Sequence, residues 1–118
     1  VLQIVADVAQ LVAGAAATDL VEAYFEARVG HRGIKAARAQ YDAWRAIAEA
    51  ANWKTPGDVK RAHPKASVLK GSRVVFNIKG NDYRLIVAVA YKFQAIYIKF
   101  VGTHAQYDRI DAATVEDA

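Results

Sequence analysis

Arg84, His104 and Tyr107 fall in the last third of the chain, and their side chains are of types that bind anions or move protons. A guanidinium can grip a phosphate through two parallel hydrogen bonds and stabilise charge that grows on it. An imidazole, with an ordinary pKa of about 6.5, gives or takes a proton near neutrality. A tyrosine three residues after the histidine returns to the same side of one helical turn, where its ring can stack on a base or its hydroxyl can pass a proton. Bland readings stand beside these: a strand arginine paired with Asp82, a histidine that caps a segment end, a tyrosine that only packs.

A β-meander must position them. Gly80-Asn81 separates two alternating runs, Arg73 to Lys79 and Tyr83 to Tyr91, and reads as a two-residue hairpin turn with glycine supplying a positive φ. That turn sets Ile78 opposite Tyr83, Asn77 opposite Arg84 and Phe76 opposite Leu85, with Phe76, Ile78, Leu85 and Val87 facing the core. For the next hairpin, a four-residue loop over Lys92 to Ala95 places Val89 opposite Ile98, Val87 opposite Phe100 and Arg84 opposite Thr103. Asn77, Arg84 and Thr103 then form one polar row, with His104 at the strand end.

Upstream, Leu2 to Val5 reads as a short strand, and apolar residues at helical spacing place one helix, or two pieces broken near Gly14, over Asp7 to Ala27. Ile34 to Ala51 reads as a second amphipathic helix, with Ala37, Tyr41, Trp44, Ile47, Ala48 and Ala51 on one stripe. Thr55-Pro56-Gly57-Asp58 is a helix start, and the helix it opens stops before Pro64. One strand, helices and then a meander predict a single α+β domain with two N-terminal helices packed on one face of an antiparallel sheet.

The chain has 118 residues, 54% hydrophobic and 24% charged, which fits one domain with a real core. Without cysteine it has no disulfide framework, no thiolate metal site and no cysteine nucleophile, and a cytoplasmic location is expected. The apolar start is expected to be neither a signal peptide nor a membrane span, because no positive charge precedes it and Asp7, Gln3 and Gln10 interrupt it. Formal charge is +4, yet all 16 Lys and Arg lie between Arg28 and Arg109, where they meet only five acidic residues. A middle this basic points to a polyanionic partner, nucleic acid first, while a solvated basic surface explains the charge equally well.

The stretch from Arg73 to Val87, RVVFNIKGNDYRLIV, and that from Val101 to Asp111, VGTHAQYDRID, closely resemble the HigB toxins of bacterial type II toxin–antitoxin systems, which belong to the RelE superfamily. Ala51 to Lys60 and Ala66 to Leu69 resemble the family's central segment, so the likeness runs over about residues 38 to 113. It departs at the N-terminus, where this chain spends some 30 residues on what the family does with a short strand and a shorter helix. The resemblance implies a RelE-like fold and a metal-independent mRNA endoribonuclease needing no cofactor. Such an enzyme usually cuts translated mRNA in the 30S A site of the ribosome, against rRNA, and is neutralised by a HigA-like helix-turn-helix antitoxin.

By that resemblance Arg84 matches the superfamily's catalytic arginine, His104 the position of a catalytic basic or histidine side chain, and Tyr107 the C-terminal tyrosine. Lys79 falls where the family's strand residues contact phosphate, and Asn77 would orient Arg84. Lys54, Lys60 and Arg73, with the neighbouring Arg61, Lys65 and Lys70, are candidates for tracking RNA phosphates. Asn81 is expected to serve the turn, and His31 and His63 to be solvated surface. The alternative is an inert RNA- or antitoxin-binding module on the same fold.

Overall fold

The computed structural model describes residues 3–5, as backbone, and 20–115. The expected helix starting at Asp7, and its break at Gly14, lie outside the described residues as far as Asp19. The elements are β1 (Gln3–Val5), α1 (Leu20–Glu26), α2 (Ile34–Ala50), α3 (Pro56–Ala62), β2 (Ser67–Leu69), β3 (Arg73–Ile78), β4 (Tyr83–Ala90), β5 (Ala95–Thr103) and α4 (His104–Tyr107). They form an α+β fold around a five-stranded sheet ordered β1-β5-β4-β3-β2. Strands β2 to β5 are antiparallel neighbours, and β1 runs parallel to β5.

The helices form where the sequence asks for them. The α2 stripe buries Ala37, Tyr41, Trp44 and Ala48, whereas Ile47, expected on that stripe, is half exposed at its rim. Thr55 Oγ1 accepts the Asp58 amide at 3.2 Å, and the Asp58 carboxylate accepts the amides of Lys54 and Thr55 at 2.9 and 3.2 Å, which closes a capping box on α3. Those amides, the one from Lys54 foremost, hold the Asp58 carboxyl below its ordinary pKa.

Between helices and sheet runs an aromatic chain. Phe25 meets Tyr41, Tyr41 stacks on Trp44, Trp44 meets Phe76, and Phe76 lies against Trp53 and His63. Strand residues Val74, Phe76, Ile78, Leu85 and Val87 point into this core, as the alternation predicts. His63 is not the solvated surface residue expected from its basic surroundings. Its ring is wedged edge-on between Trp53 and Phe76, and its Nε2 has no hydrogen-bond partner among the described residues.

Partial burial pushes the His63 imidazole pKa down, because the charged form is less well solvated there. The unfolded chain therefore binds a proton at a higher pH than the folded one. Folding stability is complete above about pH 6.5, the ordinary imidazole value, and falls as pH drops below it toward the depressed folded value. Denaturant midpoints of the wild type should fall across that window, while those of His63→Phe should change less. Equal slopes for the two proteins would contradict the assignment.

The β3–β4 register is the one the turn predicts, with Ile78 opposite Tyr83, Asn77 opposite Arg84 and Phe76 opposite Leu85. The β4–β5 register is not. The loop occupies Tyr91 to Gln94, so Ala90 pairs with Ala95, Val89 with Ile96 and Val87 with Ile98; a bulge between Ile86 and Val87 then sets Ile86 opposite Phe100, Arg84 opposite Gly102 and Tyr83 opposite Thr103. One extra residue, Lys99, reverses the alternation in the rest of β5. Val101 turns into the helix-side core, Phe100 leaves it, and the expected Asn77–Arg84–Thr103 row becomes Asn77–Arg84–Gly102.

Candidate active site at the β3–β4 turn

Lys79, Gly80, Asn81 and Asp82 make the turn, closed by the Asp82 amide donating to the Lys79 carbonyl at 3.1 Å. Gly80 has the expected positive φ of 62°, and Lys79 also lies in the left-handed region at 54°. A lysine adopts that region at some cost. Here its amide donates to Gln40 Oε1 of α2 at 2.8 Å, which ties the turn to the helix layer. The Lys79 ammonium pairs with Asp82 at 2.9 Å.

Since Asp82 is engaged by Lys79, Arg84 is not its partner. Arg84 is only 9% exposed. Its Nη1 donates to the carbonyls of Asn81 at 3.1 Å and Tyr83 at 3.3 Å, and its Nη2 to the Asn81 side-chain oxygen. The guanidinium carbon lies 5.7 Å from the centre of the Tyr107 ring, within cation–π range. Neutral oxygens and a π face orient the group without neutralising it, so among the described residues Arg84 keeps a full positive charge that no carboxylate shares.

His104 opens α4, and its amide donates to the Asp82 carbonyl at 2.9 Å, which joins the turn to the helix start. Its ring is about half exposed, with Nδ1 3.7 Å from the Asp108 carboxylate. Thr103 caps the helix: its Oγ1 accepts the Gln106 amide at 3.2 Å while Gln106 Oε1 accepts the Thr103 amide at 2.8 Å. Tyr24 of α1 donates its hydroxyl to the same Gln106 oxygen at 3.1 Å, fastening α4 to the helix layer. Burial raises the Tyr24 pKa against the lowering effect of Arg28, so the hydroxyl keeps the proton it donates.

Gly102 leaves room for this arrangement. A Cβ there would lie 2.6 Å from the Phe100 ring and 2.8 Å from Gln106 Oε1. Gly102→Ala is therefore expected to cost about 1–3 kcal/mol, as small-to-large changes at packed sites do, and to loosen α4. Hydrogen exchange at the α4 amides, faster in the variant than in the wild type, would show it; unchanged exchange would count against the packing described.

Arg32, Lys79, Asn81, Asp82, Thr103 and His104 line a shallow pocket of about 430 Å³. Asn81 joins it to Arg84, and through Arg84 to Tyr107. The structure thus gathers Lys79, Arg84, His104 and Tyr107 around one turn, and adds two residues that the sequence does not place there, Asn81 as an acceptor for Arg84 and Arg32 on the pocket wall. The Asn81 role is foreshadowed only by its position three residues before Arg84. The glycine-flanked basic loop carrying Arg32 is plain in the sequence, but nothing local says which end of the sheet it reaches.

A family model described as HigB_toxin, the RelE-like toxic component of a toxin–antitoxin system, matches residues 37–110. The chain belongs to the HigB toxin family. Among curated relatives, the mRNA interferase toxin HigB of Escherichia coli K12 and the mRNA interferase HigB of Shigella flexneri are each 34% identical to it over 58 residues. That segment is 48% of this chain and 56% of each relative, so the chain spans about half the length of the curated relatives it matches. The HigB match contains Lys79, Arg84, His104 and Tyr107, whereas Tyr24 and Arg32 lie before it.

The other residues expected to bind substrate make no hydrogen bond to Arg84 in this HigB-family chain. Asn77 is opposite Arg84, yet its exposed side chain lines a cleft between α2 and α3 with no bond to the guanidinium. Lys54 follows Trp53, whose carbonyl accepts Gln94 Nε2 in the β4–β5 loop at 2.8 Å, at the far end of β4 from Arg84. Lys60 reaches the Ala66 carbonyl. Arg73 is buried, 7% exposed, and donates to the carbonyls of Ala112 and Val115, strapping the segment after α4 to the sheet. No helix among the described residues is long and apolar enough to cross a membrane.

Proposed function

We propose that the chain is an mRNA endoribonuclease, the toxin of a type II toxin–antitoxin pair, which cuts RNA by driving the 2′-hydroxyl against the adjacent phosphate. The observation that carries this reading is the Arg84 guanidinium, oriented by the Asn81 turn and the Tyr107 ring with no carboxylate among the described residues to neutralise it. RNA supplies its own nucleophile. The protein need only deprotonate it, stabilise the phosphorane and protonate the departing 5′-oxygen.

In this reading Arg84 binds the scissile phosphate and meets the charge that develops on its oxygens. His104 transfers a proton at the pocket mouth, and Tyr107 stacks on a base or assists that transfer. Arg32 adds positive charge for the phosphate, and Lys79, whose ammonium pairs with Asp82, shares the pocket wall with it. The names of the HigB relatives, both mRNA interferases, support the substrate class. The same reading extends to cleavage in the 30S A site of the ribosome, a HigA-like antitoxin as partner, and the cytoplasm as the working compartment.

Adding the purified chain to a reconstituted translation reaction, and to the same mRNA without ribosomes, tests the reading. Cuts inside the reading frame that need translation support it in full, and cuts in both reactions support the nuclease but not the ribosome requirement. Intact mRNA in both would instead favour an inert binding module.

A further inference from the structure

A second cleft, of about 420 Å³, opens between α1, β5 and α4. Its wall carries Arg28, Lys99 and Arg109 together with Tyr24 and Phe100, and no carboxylate among the described residues lines it. Arg28 is preset there. Its guanidinium carbon sits 3.7 Å above the centre of the Tyr24 ring and its Nη1 donates to the Tyr24 carbonyl at 3.1 Å, while Tyr24 is itself anchored on Gln106. A planar cation braced in this way offers a stacking surface for a nucleobase, and neighbouring cations suit the phosphate joined to it.

The bulge in β5 decides where this cleft leads. It turns Phe100 onto the Arg84 face and sets Gly102 opposite Arg84. The Phe100 ring, which lines the cleft, closes over the site where a Gly102 side chain would stand. The cleft therefore begins one strand spacing, about 5 Å, from the strand of Arg84.

We propose that this cleft is a second nucleotide subsite, holding a base and phosphate of single-stranded RNA beyond the two nucleotides joined by the phosphate at Arg84. The proposal rests on the ribonuclease reading and extends it from the cut to the flanking chain. Arg28 stacks on the base, Phe100 packs against its edge, and Arg109 meets the phosphate.

The test uses the full chain and two fluorescein-labelled, fully 2′-O-methylated probes that cannot be cut, a dinucleotide and a hexanucleotide, followed by fluorescence anisotropy. Arg28→Ala/Arg109→Ala should weaken the hexanucleotide at least about tenfold and lower its salt slope by about 1, near the 0.7 expected for each phosphate no longer neutralised in a single strand. Dinucleotide binding should stay within about twofold. Should that variant melt early, Arg28→Lys and Arg109→Ala singly replace it: Arg28→Lys keeps charge but not the plane, and should keep the salt slope while losing affinity.

Hexanucleotide binding that does not change, or an equal loss for both probes, overturns the subsite. If unchanged RNA binding is joined by lost affinity for a Glu- and Asp-rich peptide, the cleft is a protein-docking surface. A wild type that binds neither probe and cuts no mRNA overturns the ribonuclease reading, and the subsite with it. A wild type that cuts mRNA while the double variant binds normally overturns the subsite alone.

Discussion

Arg84→Ala should lower RNA cleavage about 10²–10³-fold, the usual loss when a preorganised donor to a developing oxyanion is removed. The fold should survive. Arg84 contacts two carbonyls, one side-chain oxygen and one aromatic ring, all in the turn, its own strand and α4, and none in the aromatic core. Its removal should cost about 2–4 kcal/mol of stability, about 1 kcal/mol for each of the hydrogen bonds that this buried side chain donates. Arg84→Lys should recover less than about tenfold of the lost rate, because an ammonium cannot take the phosphate bidentately while also bonding Asn81. A variant that melts like the wild type and cuts at the wild-type rate would remove Arg84 from the chemistry.

The turn around Arg84 was legible from the sequence because Gly80 fixes both the loop length and the pairing it imposes, from Ile78–Tyr83 to Phe76–Leu85. The second hairpin was not. Loops starting at Tyr91 or Lys92 are equally polar, and both keep Val87 and Val89 on the core side. The bulge at Lys99 has no composition of its own, since the side chains it redirects, Phe100 and Val101, are both apolar. Only packing chooses between them: Phe100 finds its place over a glycine and beside Gln106, while Val101 fills the core.

Charge density likewise gave a partner class but no address. Arg73, Lys54 and Lys60 belong to the same basic middle as Arg84, yet one straps the C-terminal segment, one lies at the far end of β4 and one reaches the Ala66 carbonyl. His63 shows the converse. Basic neighbours suggested a surface residue, but the tertiary placement of Trp53 and Phe76 half-buries its ring and covers its Nε2. The tie from Tyr24 through Gln106 to the Thr103 amide joins residues 82 positions apart, a distance no local pattern reports.

His104→Ala should cost about 10²–10⁴-fold in cleavage, the range contributed by a positioned acid or base. RNA binding should hold within about threefold, because the phosphate grip belongs to Arg84. The pH–rate profile assigns its role. If His104 takes the 2′-hydroxyl proton, the acidic limb of the wild-type profile vanishes in the variant; if it protonates the leaving oxygen, the alkaline limb vanishes. Its backbone amide, which bonds the Asp82 carbonyl, is retained by alanine, so α4 should stay in place and the loss should be chemical. A variant with both limbs intact and a rate within tenfold of the wild type would leave His104 as a helix-start residue only.

The most direct measurement induces the wild type and Arg84→Ala in growing bacteria and maps RNA 5′ ends across the transcriptome, with folding of both proteins verified. Abundant new ends inside translated frames, present with the wild type and absent with the variant, are the predicted result. Arrested translation with no new ends from a folded wild type would contradict the nuclease account and leave a protein that acts by binding alone.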